Sequence, residues 1–481
     1  MEWTGFWRRV DMWVKRMIAI AVIVTAIVWL VPKFKKIETE TMMGLAVSSE
    51  ETLRQQWGER TFYDSLDNAK ELLLFNGSPV PYDKDTNTFY ITQNVENGSF
   101  DGEFGVSDSK VDAYFLSDGY ETTKSTGIYE GHVYRIWLCD DSCASICNVI
   151  FTGLPVISVD ADGLPEVKDD ENDNDDTYKT DDPEYIDGEI AVWSSEDEDL
   201  GGVSDRGSRI ECKRSASGET ITCKLRSKDG SDNKKVSLLS MGKHDAWKLY
   251  KVPETDETSI RMMMAYSLWN ECTNVDKLSV PCRFVELVLN DGYEGLYILR
   301  PRTDDDYFDL PDEDMVIKLE DTPAEDEIYG TYSPQNAAEY GLWLQATGAY
   351  VNLYEDVVVI DDGRDSLFLP GKAEYVFGSF PGRYAYLGYQ FDQRIITAAE
   401  FKRQGEEADA LDREIASLWI GARQSFLGDE AIITMAQDMI TELKKTGLTS
   451  RREITDENIA AFVDGIRLRY AYVDRYYEEL D

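Results

Sequence analysis

Histidine is nearly absent from this chain, and basic residues are few. Two histidines, His132 and His244, among 481 residues are too few for histidine-rich zinc sites and for most Ser–His or Cys–His nucleophile systems. The chain has 49 lysines and arginines against 92 aspartates and glutamates, so its formal net charge is −43. Because a nucleic-acid interface needs basic residues to neutralise phosphates, we expect no nucleic-acid partner.

The usual signatures of catalytic sites are also missing. The chain contains no H-E-x-x-H, no G-x-S-x-G, no dinucleotide G-x-G-x-x-G and no P-loop motif. Aromatic residues make up 12% of the chain, which indicates that most of it is folded. At ~100–200 residues per domain, the length allows two or three domains.

The seven cysteines do not follow a metal-binding pattern. The three between 139 and 147 lack the C-x-x-C spacing of zinc ribbons. Cys212 and Cys223 could face one another across a hairpin, and Cys272 and Cys282 bracket a loop. Either pair could form a disulfide, but the odd total leaves one thiol over. Disulfides and buried free thiols therefore both stay open.

One end of the chain is unusual, because Met17–Val31 is a run of 15 uncharged apolar residues. At ~1.5 Å per residue it spans about 22 Å, short of the ~30 Å hydrocarbon core, although flanking tryptophans and basic residues can close the gap. The alternatives are a cleaved signal peptide and a buried core helix. No small-x-small cleavage pattern follows, and basic clusters on both sides fit a core helix badly. The sequence therefore predicts a cytoplasmic stub and single-pass transmembrane anchor over 1–36, with the membrane as a partner and the large C-terminal body outside the cytoplasm.

Several further segments follow this predicted anchor. A juxtamembrane segment is predicted over 37–60. Short alternating apolar runs over 61–152 predict a small β-sandwich-like domain, in which Leu72–Phe75 leads into an Asn76–Gly77 hairpin turn. In the segment 160–187, 13 of 28 residues are acidic. This composition predicts a solvated acidic loop, with loose divalent binding as the alternative, because no register supplies the ligands and glycine of an EF-hand.

The remaining segment, 153–481, is predicted to be α+β, with strands first and helices last. Phe284–Asn290 and Tyr293–Leu299 predict a hairpin, and Ser259–Asn270 predicts a helix with a methionine- and aromatic-rich face. A C-terminal helix is predicted from apolar residues at 3.6-residue spacing. Its apolar face comprises Ile459, Phe462, Val463, Ile466, Tyr470, Val473 and Tyr477.

Three stretches of this segment, Arg283–Leu299, Lys235–Trp247 and Asp256–Trp269, carry specific patterns. They resemble the spore-coat-protein-H (CotH) kinase-like family, whose patterns are roughly R-F-V-E-l-y-l-N-g-e-Y-x-G-v-Y-x-L, V-S-L-L-G-M-x-K-D-x-D-W and a helix with D, R, A and L-W. The resemblance covers about 153–481 and implies a two-lobed atypical protein kinase that binds ATP and metal and phosphorylates serine on coat or surface proteins. Positions that match the hairpin pattern are Glu286, Asn290, Gly292, Tyr293, Gly295 and Tyr297.

The chain departs from this family at the positions that carry chemistry. The family's metal site, roughly P-W-D-x-D-Y-x-F-G, resembles Pro370–Gly378, but its two aspartates fall on Lys372 and Glu374. The family's phosphate-side pattern should fall near Ile210–Leu225, and its lysine pair is replaced there by Thr-Ile. Its glutamate after the hairpin is replaced by a proline. The frame of the metal motif is retained in Tyr375, Phe377 and Gly378.

No residue is therefore predicted to be catalytic. A protonated lysine has no lone pair for a metal and repels a divalent cation, so Glu374 alone remains as a candidate metal ligand. Lys372 could instead meet phosphates itself, or form an ion pair with Glu374 and bind no ligand. Asp256 and Arg261 could contact nucleotide or form a structural salt bridge. The candidate nucleotide-binding residues are Lys213, Asp256, Arg261, Glu286 and Lys372.

The sequence thus predicts a membrane-anchored CotH-like protein whose kinase-like domain has lost metal-dependent phosphoryl transfer. It would act as a binding or scaffold module, a pseudokinase, for a protein partner at the cell envelope. One alternative is an active atypical Ser/Thr kinase that uses ATP and Mg²⁺ on an envelope or coat protein. A second is an acidic cation-binding surface protein. The predicted fold class is α+β: a transmembrane helix, a β-sandwich-like domain and a two-lobed kinase-like domain with a helical C-terminal lobe.

Overall fold

The structure is a computed structural model of the 481-residue chain. The residues that it describes are 41–58, 61–63, 72–92, 102–117, 131–165, 184–194, 208–215, 218–227, 229–274, 278–308, 315–318, 332–349, 357–361, 366–371, 373, 376–377, 393–401, 403–444 and 454–479.

The membrane prediction is contradicted by the helices that the structure describes. Within these ranges no helix is both long enough and apolar enough to cross a bilayer. The longest, Asp456–Glu478 with 23 residues, is amphipathic and carries charges along its outer face. We therefore correct the predictions of a single-pass anchor, a membrane partner, a membrane location and a body outside the cytoplasm. The run Met17–Val31 itself lies outside the described residues.

The N-terminal part of the described chain forms two sheets. In chain order its elements are β1 (Thr41–Met42), β2 (Leu45–Ser48), α1 (Glu50–Trp57), β3 (Thr61–Phe62), β4 (Leu73–Phe75), β5 (Ser78–Pro79), β6 (Tyr82–Asp83), β7 (Thr88–Thr92), β8 (Phe104–Val106), β9 (Asp112–Leu116), β10 (Val133–Cys139) and β11 (Cys143–Thr152).

The larger sheet has the order β1-β2-β9-β10-β11-β7-β6, with β3 beside β11, and the smaller has the order β5-β4-β8. Buried side chains of both sheets, such as Phe75 and Phe151, share one core. The described part of 37–60 supplies β1, β2 and α1, and Ala46 of β2 pairs with Tyr114 of β9. The predicted Asn76–Gly77 turn is confirmed, because β4 pairs with β5 across it and both residues have positive φ, as a type I′ turn requires.

A closed barrel follows. The strands of this part are β12 (Val156–Asp160), β13 (Ile186–Trp193), β14 (Ser208–Arg214), β15 (Thr220–Leu225), β16 (Val236–Ser237), β17 (Lys243–His244), β18 (Ala246–Lys251), β19 (Arg283–Leu289) and β20 (Gly292–Pro301).

Seven of these strands close the barrel in the order β12-β13-β14-β15-β18-β20-β19. The closing pair is parallel, with Val156 of β12 opposite Glu286 of β19. Alternate residues of β19, Val285 and Leu287, lie in the interior core, because successive side chains of a strand point to opposite faces. The predicted fold class is therefore corrected: the chain is a mixed α+β protein built around a seven-stranded closed barrel, without the predicted transmembrane helix among its described residues.

The C-terminal part is mainly helical. Its elements are α2 (Arg261–Cys272, between β18 and β19), α3 (Asp305–Phe308), β21 (Met315–Lys318), α4 (Pro334–Thr347), β22 (Val357–Asp361), β23 (Ser366–Pro370), a 3₁₀ turn (Ala398–Phe401), α5 (Glu406–Arg423), α6 (Asp429–Lys444) and α7 (Asp456–Glu478).

Helix α4 is the centre of this helical part, and every residue from Asn336 to Thr347 is buried. Trp343 Nε1 donates to the carbonyl of Ala265 in α2 at 2.8 Å. Gly341 permits close approach of α5, since a Cβ there would lie 2.6 Å from Ile415 Cδ1. The predicted apolar face of α7 is confirmed, with Ile459 only partly buried and with Arg469 as an unpredicted buried member.

The N-terminal sheet and the barrel are joined by a link of three residues between β11 and β12. Thr92 of β7 joins the two parts beside this link. Its Oγ1 accepts a hydrogen bond from Val156 N of β12 at 3.2 Å and donates to Trp193 O of β13 at 3.0 Å. The rings of Tyr90 and Tyr293 stack beside it with centroids 4.4 Å apart. The two parts are thus held together by backbone, hydrogen bonds and a ring contact.

A first prediction concerns Arg469, which is fully buried and donates from Nε to Gln345 O at 2.7 Å and from Nη1 to Arg394 O at 3.0 Å. Arg469→Met leaves two buried carbonyls without these donors, so we expect the free energy of unfolding to fall by about 2–4 kcal/mol. Arg467→Met on the exposed side of the same helix should cost less than about 1 kcal/mol, since its ion pairs are at the surface. Urea denaturation of both variants measures the difference, and equal losses would contradict the assignment.

Candidate functional site

The described residues of the stretch that resembles the family's metal motif lie at the junction of barrel and helices. Gly371, Ala373, Val376 and Phe377 are described and buried, and the last three belong to the core of the helical part. Four predicted positions of this stretch lie outside the described residues: Lys372, Glu374, Tyr375 and Gly378. The described members show how the stretch is held, at both of its ends.

Arg300 of β20 holds the first end. Its Nη2 donates to the carbonyl of Gly371 and to the hydroxyl of Tyr250, both at 2.8 Å. The guanidinium also lies over the rings of Tyr250 and Tyr266, at 5.0 and 5.3 Å from their centroids. Arg300 is only 1% exposed. Among the described residues no carboxylate pairs with Arg300, so carbonyl and hydroxyl oxygens and two ring faces stabilise this buried cation.

Tyr250 is the polar centre of this junction. Burial raises the pKa of its hydroxyl, but the positive charges of Arg300 and Lys248 beside it outweigh burial, so its pKa lies below the usual range. Because the Tyr250 hydroxyl accepts a hydrogen bond from Arg300, it supplies part of the stabilisation that a carboxylate partner would give the guanidinium. The arrangement is suited to fixing Gly371 in place.

Asp256 and Arg261 hold the second end. Asp256 Oδ1 accepts from Thr258 N at 3.0 Å and from Arg261 Nε at 3.1 Å, and Oδ2 accepts from Arg261 N at 3.1 Å. These bonds place a carboxylate at the N-terminus of α2, where the helix dipole favours negative charge. Arg261 Nη1 donates to the carbonyl of Phe377, and its guanidinium lies 4.9 Å from the ring centroid of Phe462 in α7. The structural salt bridge is thus the role that the geometry of this pair supports.

The other two described candidates have their contacts elsewhere on the barrel. Glu286 is fully buried and accepts from the hydroxyl of Tyr293 at 3.2 Å, next to the ring stack with the N-terminal sheet. Lys213 lies over the ring of Tyr185 at 5.0 Å, and Lys224 lies over the same ring at 4.3 Å. The described contacts of the predicted nucleotide-binding residues therefore fall in three separate places.

The residues of the matching hairpin shape its backbone. Asn290 and Asp291 both have positive φ, 48° and 62°, and form the two-residue turn. The amide of Asn290 bonds to Ala161 N at 2.7 Å and Ala161 O at 3.0 Å, which ties the turn to the end of β12. Gly295 has a φ of 96° at the β-bulge, opposite Leu287. Tyr297 is buried in the barrel interior and donates to Glu294 at 3.4 Å.

Two of the predicted nucleotide-binding residues make their described contacts with other parts of the fold. The polar atoms of Asp256 and Arg261 are used within the fold, and within the described ranges no group of three or more His, Cys, Asp or Glu could hold a metal ion. Sequence reasoning missed Arg300 and Tyr250. The only signal for them was an arginine directly after the matching hairpin and a tyrosine on the strand before α2.

A cleft of about 510 Å³ lies on the helical part, between the N-terminus of α4 and the first half of α5. Arg403 lies over the ring of Tyr332 at 4.1 Å and donates to Glu407 at 3.2 Å. Since Glu407 offsets the charge of Arg403, the further acid Glu414 leaves the lining acidic. The described residues that line it are Tyr332, Pro334, Gln335, Arg403, Glu407, Ala410, Leu411 and Glu414.

A second prediction tests whether Arg300 holds the motif stretch. In Arg300→Met, Gly371 O and Tyr250 Oη lose their donor in a buried place, so we expect the free energy of unfolding to fall by about 2–4 kcal/mol. Hydrogen–deuterium exchange of peptides that cover 371–377 should also become faster. The control is Arg302→Met, since Arg302 is partly exposed and pairs with Asp304 at 3.3 Å. Unchanged exchange in Arg300→Met, or an equal change in the control, would argue against this role.

The chain matches no protein-family model and no curated protein. The likeness of 235–299 to the CotH family therefore remains an expectation drawn from the motifs themselves.

Proposed function

We propose that this chain is a CotH-like protein in which metal-dependent phosphoryl transfer has been lost, and which acts as a protein-binding module. The observation that carries this proposal is the way the motif stretch is held within the fold. Its described residues are held by Arg300 and Arg261 as part of the fold, while Lys372 and Glu374 stand where the resemblance expects metal-binding aspartates.

Physical chemistry explains why these replacements matter. Phosphoryl transfer depends on positioning and on cancelling negative charge, and Mg²⁺ held by carboxylates supplies much of that cancellation. Removing one such stabilising group typically costs about 3–4 kcal/mol, or a factor of 10²–10³ in rate. A lysine at a ligand position adds repulsion of the metal to this loss. A net charge of −43 also disfavours free ATP.

The cleft beside α5 supports the binding half of the proposal. Its volume falls within the ~300–1,000 Å³ that is usual for ligand pockets. Tyr332 and Ala410 offer apolar surface, and Glu414 adds a negative charge beyond the Arg403–Glu407 pair. A segment of a protein partner with a basic side chain next to an apolar one complements this lining. The strongly acidic chain as a whole would speed the approach of such a partner.

A third prediction tests the lost metal site by restoring it. In Lys372→Asp with Glu374→Asp, the two aspartates of the family pattern return, so we expect ATP to raise the melting temperature in a Mg²⁺-dependent way. Binding at 100 times the Kd would add about 2.7 kcal/mol to stability. The wild type should show no such shift. Lys243→Asp is the matched control, because it changes the net charge equally at an exposed position on β17.

Opposite results separate the alternatives. A Mg²⁺-dependent shift in the wild type, together with transfer of labelled phosphate from ATP to casein-like substrates, would establish the active-kinase alternative instead. If neither wild type nor restored variant binds, Lys372 is not what prevents metal binding.

A fourth prediction tests the cleft. Glu407→Lys with Glu414→Lys reverses the charge of its lining, so binding of cationic, partly apolar peptides should weaken by about tenfold at low salt, because attraction to two exposed carboxylates is replaced by repulsion. Glu430→Lys with Asp438→Lys changes the net charge equally on the exposed face of α6 and should retain binding. Fluorescence anisotropy with peptides of matched length and differing charge gives both values. Equal weakening in the two variants would mean that only overall charge matters.

A further inference from the structure

Cys212 and Cys223 face each other across two neighbouring strands of the barrel. They are register partners in the antiparallel pair of β14 and β15. Both side chains point into the barrel interior, where Cys212 is 0% and Cys223 is 1% exposed. The structure has both as free thiols.

The hydrogen bonds of the ladder show which kind of pair this is. Ser215 N donates to Thr220 O at 2.8 Å, and Arg226 N donates to Arg209 O at 2.9 Å, on either side of the two cysteines. In an antiparallel ladder, hydrogen-bonded and non-hydrogen-bonded pairs alternate with a period of two residues. Counting inward from both bonds makes Cys212 and Cys223 a non-hydrogen-bonded pair, the kind whose Cα atoms are closest, at about 4.5 Å. That separation lies within the ~4.4–6.8 Å that a disulfide requires.

The cysteines of the N-terminal sheet lack this arrangement. Cys139 stands opposite Ala144, and Cys147 stands opposite Ile136. In the described ladders, Cys212 and Cys223 are the pair in which two thiols meet across strands. The sequence alone left this pair and Cys272–Cys282 equally open.

We infer that Cys212 and Cys223 are a disulfide-forming site inside the barrel, oxidised by thiol–disulfide exchange with a small-molecule disulfide such as oxidised glutathione. One of the two thiolates attacks the glutathione disulfide and releases one reduced glutathione, which leaves a mixed disulfide on the protein. The second thiolate then attacks the protein sulfur and releases the other glutathione. The two protein thiols lose two protons and two electrons, and these electrons reduce the glutathione disulfide.

Burial decides when this reaction can run. The thiolate is the nucleophile in exchange, and burial raises the pKa of Cys212 to about 12 and that of Cys223 well above its usual range. Neither sulfur is accessible once the barrel is closed. The bond therefore forms while the chain folds, before β14 and β15 are enclosed, and native protein exchanges slowly. Once formed, the bond would be shielded from reductants in the same way.

The test compares refolding with native treatment. The unfolded, reduced chain is refolded with oxidised glutathione, free thiols are alkylated under denaturing conditions, and peptides are mapped by mass spectrometry. We expect five alkylated cysteines out of seven and a linked pair of peptides that contain Cys212 and Cys223. Native reduced protein treated in the same way should keep seven alkylated cysteines over the same period.

Stability supplies a second measurement. The oxidised form should melt roughly 5 °C above the reduced form, because the bond removes conformations from the unfolded chain. Cys212→Ser should abolish this difference, whereas Cys272→Ser should retain it. Should Cys212→Ser not fold, the peptide map of the wild type decides alone. Seven free thiols after oxidative refolding, or a bond between any other two cysteines, would overturn the inference.

Discussion

Three arginines tie together segments of the helical part, and one of them, Arg300, joins that part to the barrel. Arg300 fixes Gly371 and Tyr250, Arg261 joins Asp256 to Phe377, and Arg469 donates to two carbonyls within the helical core. An arginine has five N–H donors in a rigid plane, so one side chain can satisfy carbonyls of several segments together. Although the chain has nearly twice as many acidic as basic residues, these three arginines donate mostly to backbone carbonyl oxygens. The path of the 371–377 stretch depends on them.

Local patterns were readable from the sequence, and long-range closure was not. The hairpin of β19 and β20 and the apolar face of α7 follow from turn residues and side-chain spacing, which act over a few positions. The barrel closes through the parallel pairing of β12 with β19, more than a hundred residues apart, and no periodicity encodes such a partner. Buried Arg300 was hidden for a related reason, since a charged residue normally predicts the surface. The anchor prediction rested on composition and flanking charge alone. It was wrong, because no described helix is long and apolar enough to cross a membrane.

The hairpin and α2 residues that resemble the CotH patterns have structural roles in this fold. Asn290 and Gly295 set the turn and the bulge, and Asp256 begins α2 and orients Arg261. Such residues would be retained whether or not the protein transfers phosphate, because their loss would cost stability directly. A motif built largely from residues of this kind therefore identifies an architecture more securely than it identifies a reaction.

The short link from β11 to β12 also determines how the molecule would bear tension. A pull on the N-terminal sheet reaches β12 after three residues, and β12 is hydrogen-bonded along its length to β13 on one side and β19 on the other. Force along a strand loads those bonds in shear, so that they share the load and must give way together. The barrel would thus resist extension at the point where the two parts meet, as a mechanical clamp.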